Sequence, residues 1–589
     1  MHRLASCPGV DPPEDVVLVE QPEAEVLFLS SAGTDLSTLS HLLGEQTQHP
    51  WLNRIRALSL TSLDHPAQLD HYLATTALAA RIVVVRLLGS RGHWSYGLDQ
   101  LQQWQQQHPG RHLIVLAGTE DQDASLSALG SIDPVLARRL SDLLREGGVP
   151  NMAELLKALE MILRGDTPEP GSVVTHPLAD PLPWDWQPDP GPRIGVVLYR
   201  ALLQAGDDAL AKALNARLRA AGLCPRLIWV SGLRNPIVQA GVRDLLAREE
   251  VAVVITGTSF ASVRQEDAGL GSPLWEQLDR PVLQLLCSSR TKATWESSSR
   301  GLDPLDLSLQ VVMPELDGRI TTRPCAFRDL QADPNGLATA IPTLVPDGEG
   351  LDWVVEHAQR WVELQSTPAA QRRVSLVLAN YPVRDGRLAN GVGLDTPASC
   401  VAILNWLREE GLDLGADDLP ASGDALMQAL LRGRTNDPES SHRPPLASLP
   451  LSDYLAWWQD VPASAREAIT ARWGPPEQAC DRDGLGFPIH GIRFGAVVVL
   501  VQPDRGYDPE QIADLHSPDL PPPHRYLAQY LWLREQQRTQ LLVHVGKHGS
   551  AEWLPGKGVG LSPGCGPQLV LGAIPHLYPF IVNDPGEGS

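Results

Sequence analysis

Nine short runs of Val, Ile and Leu, each followed by a longer stretch of helical spacing, constrain this chain more than any other feature. They are "RIVVVRLLG", "HLIVLAGT", "RIGVVLYR", "PRLIWVSG", "VAVVITGT", "PVLQLLC", "VSLVLANYP", "AVVVLVQP" and "LLVHVGKHG". A strand that is apolar on both faces must be covered on both faces, which is the situation of a parallel sheet between helical layers. The pattern predicts a multidomain α/β protein made of several doubly wound parallel-sheet modules with a helical insertion. A chain of 589 residues also exceeds what one hydrophobic core organises. The proline-dense segment 166–192 reads as a linker or a wrapped surface strap between an N-terminal α/β domain, 1–165, and a second one, 193–345. Residues 346–589 read as a third unit, in which strand signals stop over about 412–486 and "LAWWQDVPASAREAITARW" predicts helices. "QAGDDALAKALNARLRAAG" predicts a helix with Asp207 and Asp208 in its first turn and Gly222 closing it.

Charge narrows the partners. Against 48 Lys plus Arg stand 70 Asp plus Glu, a net charge of -22, which repels nucleic acid and anionic lipid. The seven cysteines are scattered, with no C-x-x-C pair, so neither a disulfide framework nor a thiolate zinc site is expected. No apolar run approaches the roughly 20 residues of a membrane span, and the first residues lack a signal-peptide core. The expected location is the cytoplasm.

Chemistry concentrates in "HVGKHGSAEWLPGKGVG", His544 to Gly560. His544 and His548 have the spacing of the zinc motif H-E-x-x-H, but Val545 stands where that motif has Glu. Gly546 and Gly549 would each weaken a helix by about 1 kcal/mol. If the strand continues instead, residues 544, 546 and 548 share one face, and Glu552 follows close by. Two imidazoles and a carboxylate suit Co, Ni, Zn or Fe, and equally suit proton abstraction; each could also be an ordinary core or surface residue. "PGKG" is not a phosphate loop, because Ala551 and Gly558 occupy positions that require Gly and Ser or Thr. ATP, if used, is expected on another polypeptide.

Two further segments carry candidates. "LANYPVRDGRLANGVGLDTPAS" ends a strand in a glycine-rich loop with Arg384, Asp385, Arg387 and Asn390, either a cradle for carboxylates or a plain β-to-α loop. "QPDRGYDPEQIADLHSPDLPPPH" is a long proline-rich loop with His516, Asp519 and His524, the last opening a helix.

Together with "FPIHGIRFGAVVVLVQPDRGYD", "RGHWSYGLDQL", "RIGVVLYRALLQAG" and "VVMPELDGRI", these segments resemble the large-subunit family of aerobic cobaltochelatase, homologous to the porphyrin-binding H subunit of magnesium chelatase. The resemblance implies ATP-dependent insertion of Co²⁺, as substrate metal, into the corrinoid hydrogenobyrinic acid a,c-diamide during cobalamin synthesis. It also implies two AAA+-type partner subunits that hold ATP and Mg²⁺. On that reading His544, His548 and Glu552 are catalytic and, with His524, metal-binding. Arg384, Arg387, Asn390, Lys547 and Lys557 meet ring substituents and Trp553 the ring, with Tyr381 as its alternative; His516 and Cys565 are weaker metal candidates. The resemblance stops at "NDPGEGS", where the family continues, so a fragment or a split subunit is expected. The alternatives are magnesium insertion into protoporphyrin, a non-catalytic tetrapyrrole carrier or sensor, and a metallohydrolase.

Overall fold

A computed structural model of the chain describes residues 17–45, 49–262, 273–380, 385, 388–389, 393–416, 418–481, 484–506, 519–546 and 551–579. Among them the first sheet contains β1 (Val26–Ser30), β2 (Ile55–Ser59), β3 (Ile82–Leu87) and β4 (His112–Ala117), in the order β2-β1-β3-β4 and wholly parallel. Every residue of β1 and β3 is buried. Successive side chains alternate between two cores: Val26 and Phe28 meet one helical layer, Leu27 and Leu29 the other.

The second sheet holds β5 (Leu182–Trp184), β6 (Arg193–Tyr199), β7 (Cys224–Val230), β8 (Val253–Thr256), β9 (Val282–Ser288), β10 (Ile320–Ala332) and β11 (Ala340–Pro346), in the order β11-β10-β9-β8-β6-β7-β5. Its inner strands are parallel and both edge strands antiparallel. β5 comes from the proline-dense segment. Trp184 packs edge-on against Trp229, and Trp186 Nε1 donates to the Leu227 carbonyl at 2.8 Å, so this stretch is a strap on the sheet. The predicted helix forms at Ala209–Ala220, and Asp207 lies before it, accepting from the Leu344 amide. The helix Gly348–Ser366 places Leu351, Val354, Val355 and Ala358 in the core of this sheet. That core therefore runs past residue 345.

The third sheet has the order β15-β16-β12-β17-β18, built from β12 (Val374–Leu378), β15 (Gly491–Phe494), β16 (Val497–Val501), β17 (Leu541–Val545) and β18 (His576–Leu577). β12 is fully buried between β16 and β17, parallel to both. Residues 412–486 supply helices, including Leu451–Asp460 and Ala463–Trp473, as expected. They also supply an unexpected strand, β13 (Ala447–Pro450), paired antiparallel with β14 (Gly486–Ile489). Each of these has four residues and a proline, too short and too interrupted to give an apolar run. The crossover from β16 to β17 runs through the helix His524–Glu535, buried from His524 through Leu533 except at Arg525. A helix enclosed on all sides is a core element.

All nine runs named from the sequence form strands: β3, β4, β6, β7, β8, β9, β12, β16 and β17. The six described cysteines form no disulfide with one another. Among the described residues no helix is long and apolar enough to cross a membrane.

Candidate functional site

β17 carries His544 to its C-terminal end, beside the end of β12. Gly546 is required there, because a Cβ at that position would lie 2.5 Å from the Ala379 Cβ. The His544 ring is 3% exposed. Its Nε2 lies 2.7 Å from the Tyr530 hydroxyl on the core helix, and its Nδ1 lies 2.8 Å from Nε2 of His576 on β18. Burial drives the imidazole pKa of His544 well below its ordinary value, His576 adding to the effect, and burial lowers His576 to about 4. Burial raises Tyr530 well above the ordinary phenol value. At neutral pH both rings are neutral and the phenol keeps its proton.

Only one of the two facing nitrogens can carry the shared proton, which leaves two arrangements. In one, Tyr530 donates to His544 and His544 to His576. In the other, His576 donates to His544, His544 donates to Tyr530, and His576 Nδ1 is a bare lone pair. Among the described residues Nδ1 has no hydrogen-bond partner, and the ring borders a cavity of about 750 Å³. That volume is in the range of small-molecule sites, roughly 300–1,000 Å³.

The cavity lies between the start of β10, the helix Gly348–Ser366 and the segment 551–578. Trp353, His357 and Trp361 are spaced four apart on that helix and form one face of the cavity. Trp353 stacks on His357 with ring centroids 4.9 Å apart and donates to the Gly572 carbonyl at 3.3 Å. His357 Nδ1 donates to the Ala573 carbonyl at 2.9 Å, and Trp361 Nε1 donates to His357 Nε2 at 3.2 Å. This face is therefore held rigidly. Glu552 borders the same cavity and accepts from the Tyr578 hydroxyl at 3.1 Å.

Of the residues singled out from the sequence, His544, Glu552 and Lys557 are thus brought to one cavity. His548, Lys547, Arg384, Arg387 and Asn390, with Tyr381 and His516, lie outside the described residues. His524 is corrected: it is fully buried, its Nε2 donates to the Gly474 carbonyl at 3.0 Å, and its Nδ1 accepts from Tyr454 at 2.8 Å. With both nitrogens engaged it has no lone pair for a metal. Lys557 borders the cavity as well. Its ammonium, however, donates to the carbonyls of Trp295, Glu296 and Ser298 at 2.7, 3.0 and 2.6 Å and sits over the Trp295 ring. That charge ties the third unit to the second. Trp553 is 36% exposed and is absent from the described residues that border the cavity. The Cys565 thiol is buried and accepts from the amides of Lys557 and Ser562. No group of three or more His, Cys, Asp or Glu side chains placed to hold a metal ion occurs among the described residues.

His576, Tyr530 and the aromatic face were not found from the sequence. His576 is 32 residues from His544 and adjacent only through the β17–β18 pairing. The spacing of Trp353, His357 and Trp361 was a usable signal, since three large rings four apart mark one helical face.

The fold and cavity define a multi-sheet α/β protein with an aromatic-walled site of ligand size. The CobN/Magnesium Chelatase family model matches residues 141–589, and the chain belongs to that family. It is 40% identical to the aerobic cobaltochelatase subunit CobN of Pseudomonas aeruginosa, over 100% of this chain and 48% of that protein. It is 28% identical to the chloroplastic magnesium-chelatase subunit ChlH of Oryza sativa subsp. indica, over 68% of this chain and 28% of that one. Among solved structures it is similar to the catalytic subunit of cobaltochelatase from Mycobacterium tuberculosis, with TM-score 0.69 and 32% identity, over 97% of this chain and 46% of that one. The chain spans about half the length of the cobaltochelatase relatives it matches.

Proposed function

We propose that this chain is the macrocycle-binding portion of a cobaltochelatase large subunit, inserting Co²⁺ into hydrogenobyrinic acid a,c-diamide for cobalamin synthesis in the cytoplasm. The observation that carries the reading is the cavity that an aromatic face shares with neutral His576 and the Glu552 carboxylate. A flat ring lies against Trp353 and Trp361. Its inner N–H groups must lose protons for the metal to enter, and acceptors on the cavity wall include Glu552 and, when His576 donates to His544, the bare His576 Nδ1. His544 and Tyr530 act behind His576, fixing its ring and its proton arrangement. Glu552, with His548 four residues earlier in the chain, presents the metal. Two AAA+-type subunits holding ATP and Mg²⁺ drive the cycle, and Arg384, Arg387, Asn390 and Lys547 remain candidates for the ring's substituents. Cobalt is favoured over magnesium because the similarity to the CobN protein is higher and covers the whole chain.

The test is cobalt insertion with both motor subunits and a complementary C-terminal part of the large subunit. Glu552→Gln and His576→Ala should each lower turnover by about 10²-fold or more while ring binding survives. Insertion at the wild-type rate by Glu552→Gln would remove the proposed acceptor.

A further inference from the structure

We infer that Arg323 is the carboxylate receptor of this cavity and fixes which way round an acidic ligand enters it. The inference deepens the proposed function and rests on that reading only for the identity of the ligand's body. Arg323 is 8% exposed and borders the cavity. Its guanidinium has no hydrogen bond or ion pair among the described residues, and its Nε is enclosed without a partner. Other buried arginines are served: Arg86 pairs with Asp35, Arg226 with Glu249, Arg319 with Asp317, and Arg56 donates to the carbonyls of Ile55 and Gly336. The acids nearest in effect, Glu349 and Asp347, act on Arg323 only from a distance. Asp347 is already engaged by Lys292 at 2.7 Å and by the Gly350 amide at 2.8 Å. A buried cation without an anion is a net cost to the fold unless a ligand supplies the anion.

The backbone aims this residue deliberately. Between Thr321 and Ala326 the pairing of β10 with β9 slips its register twice, around Pro324. Bulges of this kind re-aim side chains next to sites. Here Ile320, Thr321, Thr322 and Arg323, four consecutive residues, all border the cavity, which a regular strand cannot present from one face. A guanidinium fork matches a carboxylate through two parallel hydrogen bonds. The ligand class is therefore a flat apolar body bearing at least one peripheral carboxylate, which Arg323 receives while the body lies along Trp353 and Trp361.

The experiment uses two fluorescent probes that share a flat apolar body, pyrenebutyrate and pyrenebutanol, titrated into the full 589-residue chain. Wild type should prefer the acid by about tenfold to a hundredfold, the worth of a hydrogen bond to a charged group. Arg323→Gln should abolish the preference by weakening the acid alone, and Arg323→Lys should restore part of it, having charge but no fork. Arg323→Gln should also melt at the wild-type temperature or above, whereas removal of a merely structural arginine lowers it. No preference in wild type, no binding of pyrenebutyrate, or an unchanged preference in Arg323→Gln overturns the inference. If Arg323→Gln does not fold, Arg323→Lys decides: an unchanged preference there overturns it as well. The corrinoid is then added as competitor. Its failure to displace pyrenebutyrate from wild type counts against the ring reading while the acid-to-alcohol ratio still judges Arg323.

Discussion

Replacing Lys557 by Met separates two roles that the sequence alone left together. Methionine keeps most of the length and the apolar stem of the side chain and removes its ammonium. In the fold that ammonium donates to three carbonyls some 260 residues earlier in the chain, those of Trp295, Glu296 and Ser298. The Glu296 carbonyl is exposed and rehydrates at little cost, whereas the other two are partly buried. Leaving a buried acceptor unsatisfied costs about 1–3 kcal/mol, so two of them, only partly buried, give a loss of at most about 2–6 kcal/mol. The contact with the Trp295 ring, 5.0 Å from Nζ to centroid, adds about 0.5–1 kcal/mol. Part of this is returned, because burial disfavours the ammonium itself. The expected net loss is about 3 kcal/mol. It should appear in urea unfolding followed by tryptophan emission, while the affinity of the folded protein for corrinoid stays within about twofold of wild type. Wild-type stability with a corrinoid affinity ~tenfold weaker would refute the structural role and return Lys557 to the ligand.

Acid should destabilise the protein over a defined window. His576 and His490 each titrate at about 4 in the folded state, chiefly through burial, against about 6.5 when unfolded. Below pH 6.5 the unfolded chain takes up protons that the folded rings refuse, so stability falls as the pH drops to 4 and this contribution falls no further below it. The loss is on the order of 3 kcal/mol per ring, and His576→Gln should flatten the slope of stability against pH by about one proton. Tyr530→Phe leaves His544 Nε2 buried without its partner and should cost about 1–3 kcal/mol in chemical denaturation. His524→Phe strands the Tyr454 hydroxyl and the Gly474 carbonyl, with a similar loss and unchanged corrinoid affinity. Weakened cobalt binding in that variant would restore His524 as a ligand.

Most inner strands were legible because burial on both faces leaves little room for polar residues: β16 is wholly apolar and β12 admits only Ser375. Short or interrupted strands were not. β10, next to the sheet edge, mixes Arg323, Pro324 and Arg328 into its run, and β18 has two residues. The helix His524–Glu535 carries polar Gln529 and Arg534, yet both are donors to carbonyls within the core, Gln529 to that of Val501 and Arg534 to those of Leu569 and Val570. That enclosure is what engages both nitrogens of His524. In the candidate site, His544 and Glu552 were readable from local spacing, whereas His576 and Arg323 enter through strand pairing and a bulge. Neither leaves a mark on the sequence near the residues it joins.

The decisive measurement is an equilibrium titration of the wild-type chain and of Trp353→Ala with hydrogenobyrinic acid a,c-diamide, followed by tryptophan emission and by corrinoid absorbance. Saturable micromolar binding that quenches emission and weakens by ~tenfold or more in Trp353→Ala is the predicted result. No binding by the wild-type chain, or equal binding by both proteins, would contradict a ring site in this cavity.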